Sequence, residues 1–243
     1  MDIVVLKFGG SSLADDNAMK LAAHKVTSFL NKGKKVVVVV SAQGKMTNQL
    51  IEEAKTLNNN PSKRELDMLL SCGEQISCSK FALLLQEMGY RAISLTGWQA
   101  GIVTNSEYSE AKIEDIYPKR IWDEMEKNQV IVIAGFQGIN RENDITTLGR
   151  DGSDTTAVAL AAALEVNTCY IFSDVDGIYD KDPRKNKDAK KLEQVSYEQM
   201  YELVKSGAKV LHKRCIKIAQ KYGITIVVAS SFDNSEGSLV KNL

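Results

Sequence analysis

The chain is short of the residues that most often carry metal or triad chemistry. Its 243 residues include two histidines, His24 and His212, and neither has a partner at metal-ligand spacing, which argues against a zinc site. The four cysteines, Cys72, Cys78, Cys169 and Cys215, form no C-x-x-C pair. All four fall inside apparent helices and strands, so the expectation is buried, reduced thiols in a cytoplasmic protein. Net charge is absent as well. Lys plus Arg and Asp plus Glu are 31 each, so no overall field draws in nucleic acid or an anionic membrane. No apolar run reaches the roughly 20 residues that span a bilayer, and the first residues lead into a strand-like Ile3–Phe8 without a signal-peptide layout. Internal repeats and low-complexity tracts are missing too.

What is present alternates. Strand candidates are Ile3–Phe8, Lys35–Val40, Arg91–Leu95, Val130–Ala134, Thr168–Phe172 and Thr225–Ala229. Val36–Val40 is all valine and Val130–Ala134 is apolar throughout, and such strands belong in a sheet covered on both faces, hence a mainly parallel one. Helical patterns lie between them: Ala14–Asn31, Thr47–Leu57, Ser62–Met88, Ile113–Lys127, Thr155–Leu164, Ser196–Lys205 and Leu211–Tyr222. That order predicts an α/β sandwich, either one large domain or two lobes sharing a sheet with a soft boundary near Gly149. Asn58–Lys63 and Asn105–Ala111 read as surface loops.

The stretch Gly135–Leu164 organises the rest. Strand Val130–Ala134 feeds Gly135–Gly138, then comes a polar loop, Ile139–Thr147, then Leu148–Thr156, then an Ala-rich helix. Glycines opening onto a helix offer backbone N–H groups and a positive dipole end to an anion. Arg150 adds a planar guanidinium that grips a carboxylate or phosphate with two bonds. Asp154 in the first turn would repel that anion directly, so its expected job is to orient a cation that does touch it. Helix capping by Ser153, Asp154 and Thr155 is the plainer alternative, but it does not account for Gly149, Gly152 and Arg150 beside them.

Other polar turns sit at the carboxyl ends of strands, where parallel α/β sheets bind ligands. Lys7-Phe8-Gly9-Gly10-Ser11-Ser12 ends the first strand. It is neither a G-x-x-x-x-G-K-[ST] loop nor a G-x-G-x-x-G turn, but it pairs close-approach glycines with a lysine that is seldom buried alone. Ser41–Asn48 ends the second strand and leads into a helix that Thr47 or Asn48 would cap. Ser71-Cys72-Gly73-Glu74 lies mid-helix, where glycine costs about 1 kcal/mol against alanine unless something approaches the backbone closely. Glu74 would then be a carboxylate available to an ammonium, although a solvated glutamate is the commoner case. Ser173–Arg184 lacks the oxygens and terminal Glu of an EF-hand. It fits a nucleotide pocket better, with Tyr179 against a base or ribose, Asp174 accepting hydrogen bonds and Arg184 meeting a phosphate. Gly207–His212 brings Lys209 and Val210 to the start of another helix.

Taken in order, these motifs, with Leu95–Thr104, resemble the catalytic domain of the aspartokinases, within the amino-acid kinase family. The resemblance covers nearly the whole chain. It implies a three-layer αβα sandwich with a mainly parallel sheet, spanning 1–243 as a single kinase domain, with 1–148 as amino-acid-binding lobe and 149–243 as ATP-binding lobe. It implies transfer of the ATP γ-phosphoryl group to the β-carboxylate of L-aspartate, giving 4-phospho-L-aspartate, the first step toward amino acids of the lysine, threonine and methionine type. Under it Lys7 and Lys209 would neutralise phosphate charge, Asp154 would hold lysine side chains, and Gly9 and Gly10 would offer amides to the transferring group. Ser41, Thr47, Glu74, Arg150 and Ser153 would hold aspartate, Glu74 opposite its ammonium and Arg150 on a carboxylate. Phe8, Ser173, Asp174, Tyr179, Arg184, Lys209 and Val210 would surround ATP, with Mg2+ bound through the phosphates and no protein metal site. Nucleic acid and membrane are not expected partners, and a homodimer stays open.

Three departures from the family pattern stand out. Asp151 replaces a common glycine and puts a negative charge beside Arg150, and Lys213 replaces a proline. The family's paired ACT regulatory domains lie outside these 243 residues, so the sequence is either a catalytic fragment or a stand-alone kinase, and insensitivity to lysine and threonine is the expectation. Aspartate, ionised at neutral pH, needs no general base, which suits a chain with two histidines and no triad. A kinase of the same fold acting on glutamate, N-acetylglutamate, carbamate or UMP is the nearest alternative, and Glu74 with Arg150 favours a free amino acid. A non-catalytic nucleotide-binding module is a further one, against which Lys7 and Asp154 both speak. A dinucleotide-binding dehydrogenase is set aside, since no G-x-G-x-x-G follows a strand.

Overall fold

The structure is a computed structural model and describes residues 2–183, 185–208 and 210–243. The first half of the chain forms β1 (Ile3–Phe8), β2 (Lys35–Val40), β3 (Ala92–Leu95), β4 (Ile102–Thr104), β5 (Ile113–Ile116), β6 (Val130–Ala134), β7 (Gln137–Ile139) and β8 (Ile145–Thr147). The second half forms β9 (Thr168–Ser173), β10 (Ile178–Tyr179), β11 (Lys191–Leu192), β12 (Gln194–Ser196), β13 (Thr225–Ser230) and β14 (Ser238–Lys241). The helices are α1 (Asp16–Leu30), α2 (Met46–Leu57), α3 (Lys63–Glu87), α4 (Lys119–Met125), α5 (Gly152–Ala163), α6 (Tyr197–Lys205) and α7 (Lys213–Tyr222).

Both halves feed one eight-stranded sheet in the order β12-β14-β13-β9-β1-β2-β6-β3. From β13 to β3 every neighbouring pair is parallel, and only the β13–β14 pairing is antiparallel. The sheet is therefore mainly parallel and covered on both faces. Leu6, Phe8, Val36, Val38 and Val40 pack with α1 and α3 on one side. Val5, Val37, Val39, Ile131 and Ile133 pack with α4, α5, α6 and α7 on the other. Side chains alternate along a strand, so Lys7 shares a face with Val5 and points toward α5. The three layers agree with the expected αβα sandwich.

Two local expectations fail. Ile113–Lys127 is not one helix. Ile113 and Ile116 sit three apart, a spacing that mimics a helical face, but they belong to β5, which pairs with β4; Pro118 then separates β5 from the short α4. The polar stretch Ile139–Thr147 is not a bare loop either. Its ends complete the antiparallel pair β7–β8, and with β4 and β5 they make a four-stranded sheet in the order β5-β4-β7-β8. Strands of three or four residues are too short to declare a period. Of the cysteines, Cys78, Cys169 and Cys215 are buried, whereas Cys72 is exposed on α3, contrary to expectation. All four are free thiols. Among the described residues no helix is long and apolar enough to cross a membrane.

Candidate active site

Because β1, β2, β6 and β9 are parallel neighbours, their carboxyl ends open on the same edge of the sheet. A cleft of about 770 Å³ lies there. Its wall includes Lys7, Gly9, Gly10, Ser41, Thr47, Glu74, Arg150, Ser153, Asp154, Ser173 and Val210, drawn from six separate stretches of sequence, each within one of the sequence motifs described above.

Lys7, one residue before the end of β1, meets the first turn of α5. Its Nζ lies 2.5 Å from Asp154 Oδ1, and both side chains are nearly buried, at 12% and 8% exposed. An ammonium has three donors, so the pair leaves Lys7 able to bind a further anion. After β1 the chain turns tightly against the loop that follows β2. A Cβ at Gly10 would lie 2.8 Å from the Ala42 carbonyl oxygen, so no side chain fits there. The amide of Gly44 donates to the Gly10 carbonyl at 3.0 Å and locks the two turns together.

The far wall is α3, started by Ser62, whose hydroxyl accepts from the Glu65 amide at 3.3 Å. The mid-helix glycine has its close neighbour: a Cβ at Gly73 would lie 2.9 Å from the Ala42 side chain. That contact lets Glu74 Oε1 accept from the Ala42 amide at 3.0 Å. Glu74 is 3% exposed, and its Oε2, also buried, has no hydrogen-bond partner among the described residues. Burial pushes this carboxyl up to about 8, against which the bond from Ala42 pulls only partly. A buried carboxylate oxygen without a donor favours a bound cation.

The third wall is the start of α5. Asp151 adopts a left-handed backbone (φ +53°) and caps with no side-chain bond, so Ser153 and Asp154 lie inside the helix rather than capping it. Arg150 borders the cleft with its side chain 81% exposed, its Nε 3.9 Å from Asp151 Oδ2. At that length and exposure the pairing is weak and leaves the guanidinium free for an anion.

Other expected site residues sit differently. The Phe8 side chain is fully buried and stacks on Phe172 at 5.0 Å between ring centres, so the ring is core and only its backbone borders the turn. Asp174 is exposed and accepts from Ser173 Oγ at 3.0 Å. Tyr179 lies on β10, outside the cleft wall, with its hydroxyl donating to Asp176 at 3.0 Å. Arg184 and Lys209 lie outside the described residues.

The cleft also holds residues to which sequence reasoning gave no role. Ser109 and Thr147 line it, and both are bound by the buried carboxylate of Asp67. The signal was present in the spacing: Asp67 precedes Glu74 by two helical turns, so both face the same side of α3. Among the described residues no group of three His, Cys, Asp or Glu side chains could hold a metal ion.

Comparison with known proteins places the fold and the family. The chain is 48% identical to an aspartokinase of Geobacillus stearothermophilus and 47% identical to aspartokinase 2 of Bacillus subtilis. Each match covers 99% of this chain and 59% of the relative, so the chain spans somewhat over half the length of these proteins. E. coli aspartokinase III, solved in complex with aspartate and ADP, superposes with a TM-score of 0.89 at 29% identity, over 99% of this chain and 65% of that one. Uridylate kinase from Archaeoglobus fulgidus, at 21% identity and a TM-score of 0.67, shares the fold. With the model of the amino acid kinase family matching residues 2–230, the chain belongs to that family.

Proposed function

We propose that the protein is an aspartate kinase, transferring the γ-phosphoryl group of ATP to the β-carboxylate of L-aspartate to give 4-phospho-L-aspartate and ADP. One observation carries the reading. The donorless, buried oxygen of Glu74 and the Lys7–Asp154 pair line the same cleft, a cation site and an anion site within reach of one small zwitterion and a phosphate chain. The aspartokinase relatives and the aspartate and ADP bound in the E. coli enzyme support it.

In this reading 1–148 supplies most of the amino-acid side and 149–243 most of the nucleotide side, although Lys7 and Arg150 each serve across that division. Glu74 takes the α-ammonium and Arg150 a carboxylate, while Ser41, Thr47 and Ser153 complete the aspartate contacts. A β-carboxylate oxygen attacks the γ-phosphorus, and the bond to the bridging β–γ oxygen breaks with ADP as the leaving group. No proton has to be removed from the nucleophile, because an aspartate side chain is ionised near neutral pH. The protein's part is alignment and charge neutralisation. Lys7, oriented by Asp154, and the amides of Gly9 and Gly10 stabilise the negative oxygens of the transferring group. Ser173, Asp174, Tyr179, Arg184, Lys209 and Val210 serve the nucleotide. A Mg2+ ion bound with the nucleotide would supply further charge neutralisation there. A cytoplasmic setting suits four free thiols.

The test is an acceptor panel. ATP and L-aspartate with hydroxylamine should yield aspartyl hydroxamate and ADP in equal amounts, with little product from glutamate, N-acetylglutamate or succinate. Equal turnover of succinate, which has no ammonium for Glu74, would overturn the assignment.

A further inference from the structure

Asp67 is fully buried on α3 and accepts four hydrogen bonds from two residues. Its Oδ2 takes the backbone amides of Ser109 at 2.8 Å and Thr147 at 2.9 Å. Its Oδ1 takes the two hydroxyls, Thr147 at 2.7 Å and Ser109 at 3.1 Å. Ser109 has a left-handed backbone (φ +70°), a conformation a serine holds at some cost, and the Asp67 bonds are what hold it there. On the other side Arg214 of α7 donates to the carbonyls of Ala111 at 3.1 Å and Leu148 at 2.5 Å, while the Ala111 amide donates to Thr147 at 2.9 Å. The 105–111 connection and the end of β8 are thus clamped from α3 and from α7. Three residues past Thr147 stands Arg150.

A buried carboxylate satisfied by neutral donors is a costly means of closing a loop, because the same shape is available to apolar residues without desolvating a charge. What it adds is a fixed distance. Glu74 and Asp67 are two turns apart on one rigid helix, so anchoring Thr147 to Asp67 anchors the Gly149–Arg150 turn relative to Glu74. We infer that Asp67 is a positioning residue that sets the span between the ammonium-binding Glu74 and the carboxylate-binding Arg150. This inference rests on the aspartate kinase reading. Through that span Asp67 governs how the cleft discriminates an amino acid by the separation of its charged groups.

Asp67→Asn keeps the shape but turns an NH2 group toward one pair of donors. The expected result is a KM for L-aspartate raised at least about tenfold, as befits a lost bond to a charged group, with the KM for ATP within about twofold of wild type. Amide hydrogen exchange at Ser109 and Thr147 should quicken in the same variant, without any substrate present. Thr147→Val, which removes one hydroxyl donor and keeps the volume, should move the aspartate KM in the same direction by less. If Asp67→Asn fails to fold, Thr147→Val alone decides. A variant whose melting temperature falls while both KM values hold, or whose Ser109 and Thr147 amides exchange as in wild type, would overturn the inference. Turnover of aspartate by the wild-type protein reports separately on the parent reading.

Discussion

At the scale of single residues, Lys7 shows how a strand's alternation becomes chemistry. Placed on the same face as Val5, it cannot avoid α5, and Asp154 in the first turn of that helix receives it. In the proposed reaction the ammonium matters most where charge gathers on the transferring oxygens. Lys7→Ala should therefore lower kcat by at least about a hundredfold, the scale of one electrostatic donor, while the KM for aspartate changes little. A coupled ADP-release assay returning near-normal turnover would remove Lys7 from the chemistry. The lysine's need of a partner was legible because lysine at the end of an apolar strand is seldom buried alone. The exclusion of Phe8 from the cleft was not, since whether a ring stacks on Phe172 or on a ligand depends on a strand far along the chain. Tyr179 carries the same lesson: its hydroxyl belongs to Asp176, a neighbour that the spacing left free to point elsewhere.

At the scale of elements, α3 is the ruler of the site. It carries Asp67, Gly73 and Glu74 on its buried side, and the bare Gly73 lets the loop after β2 lie against the helix. Gly73→Ala places a methyl group 2.9 Å from the Ala42 side chain, a contact the structure must relieve by parting helix and loop. Glu74 would then lose the Ala42 amide. The expected outcome is a destabilisation of about 1–3 kcal/mol in urea melts, typical of overpacking, together with weaker aspartate binding. Unchanged stability and unchanged affinity would show that the close approach is not needed. Long periodic elements such as α3 and the valine strand β2 could be read from the sequence, because apolar spacing encodes them directly. The four-stranded sheet of β4, β5, β7 and β8 could not, because each member is three or four residues long and its pairing is set by distant partners. Since that sheet carries Thr147, and the β4–β5 connection carries Ser109, the Asp67 anchor stayed hidden with it.

At the scale of the whole molecule, the parallel sheet explains why motifs scattered from Lys7 to Val210 meet: parallel strands deliver all their carboxyl ends to one edge. Where α3 packs on the loop after β2, a carboxylate lies out of reach of water, and this has a thermodynamic consequence. The folded Glu74 carboxyl is raised to about 8 from an ordinary 4.5, so between those values the folded protein holds a proton that the unfolded chain has released. The contribution is favourable below about 4.5 and is lost as pH climbs through about 8, so the unliganded protein loses stability over that window. A bound ammonium reverses the bias by favouring the charged carboxylate.

Aspartate binding near neutral pH should therefore expel the Glu74 proton, and calorimetry of L-aspartate binding in buffers of different ionisation enthalpy measures this directly. With a non-hydrolysable ATP analogue present at pH 7, the account predicts release of close to one proton per aspartate in the wild-type protein, with much weaker binding and no release in Glu74→Gln. Tight binding of aspartate to Glu74→Gln, or wild-type binding with no exchange of protons, would contradict it.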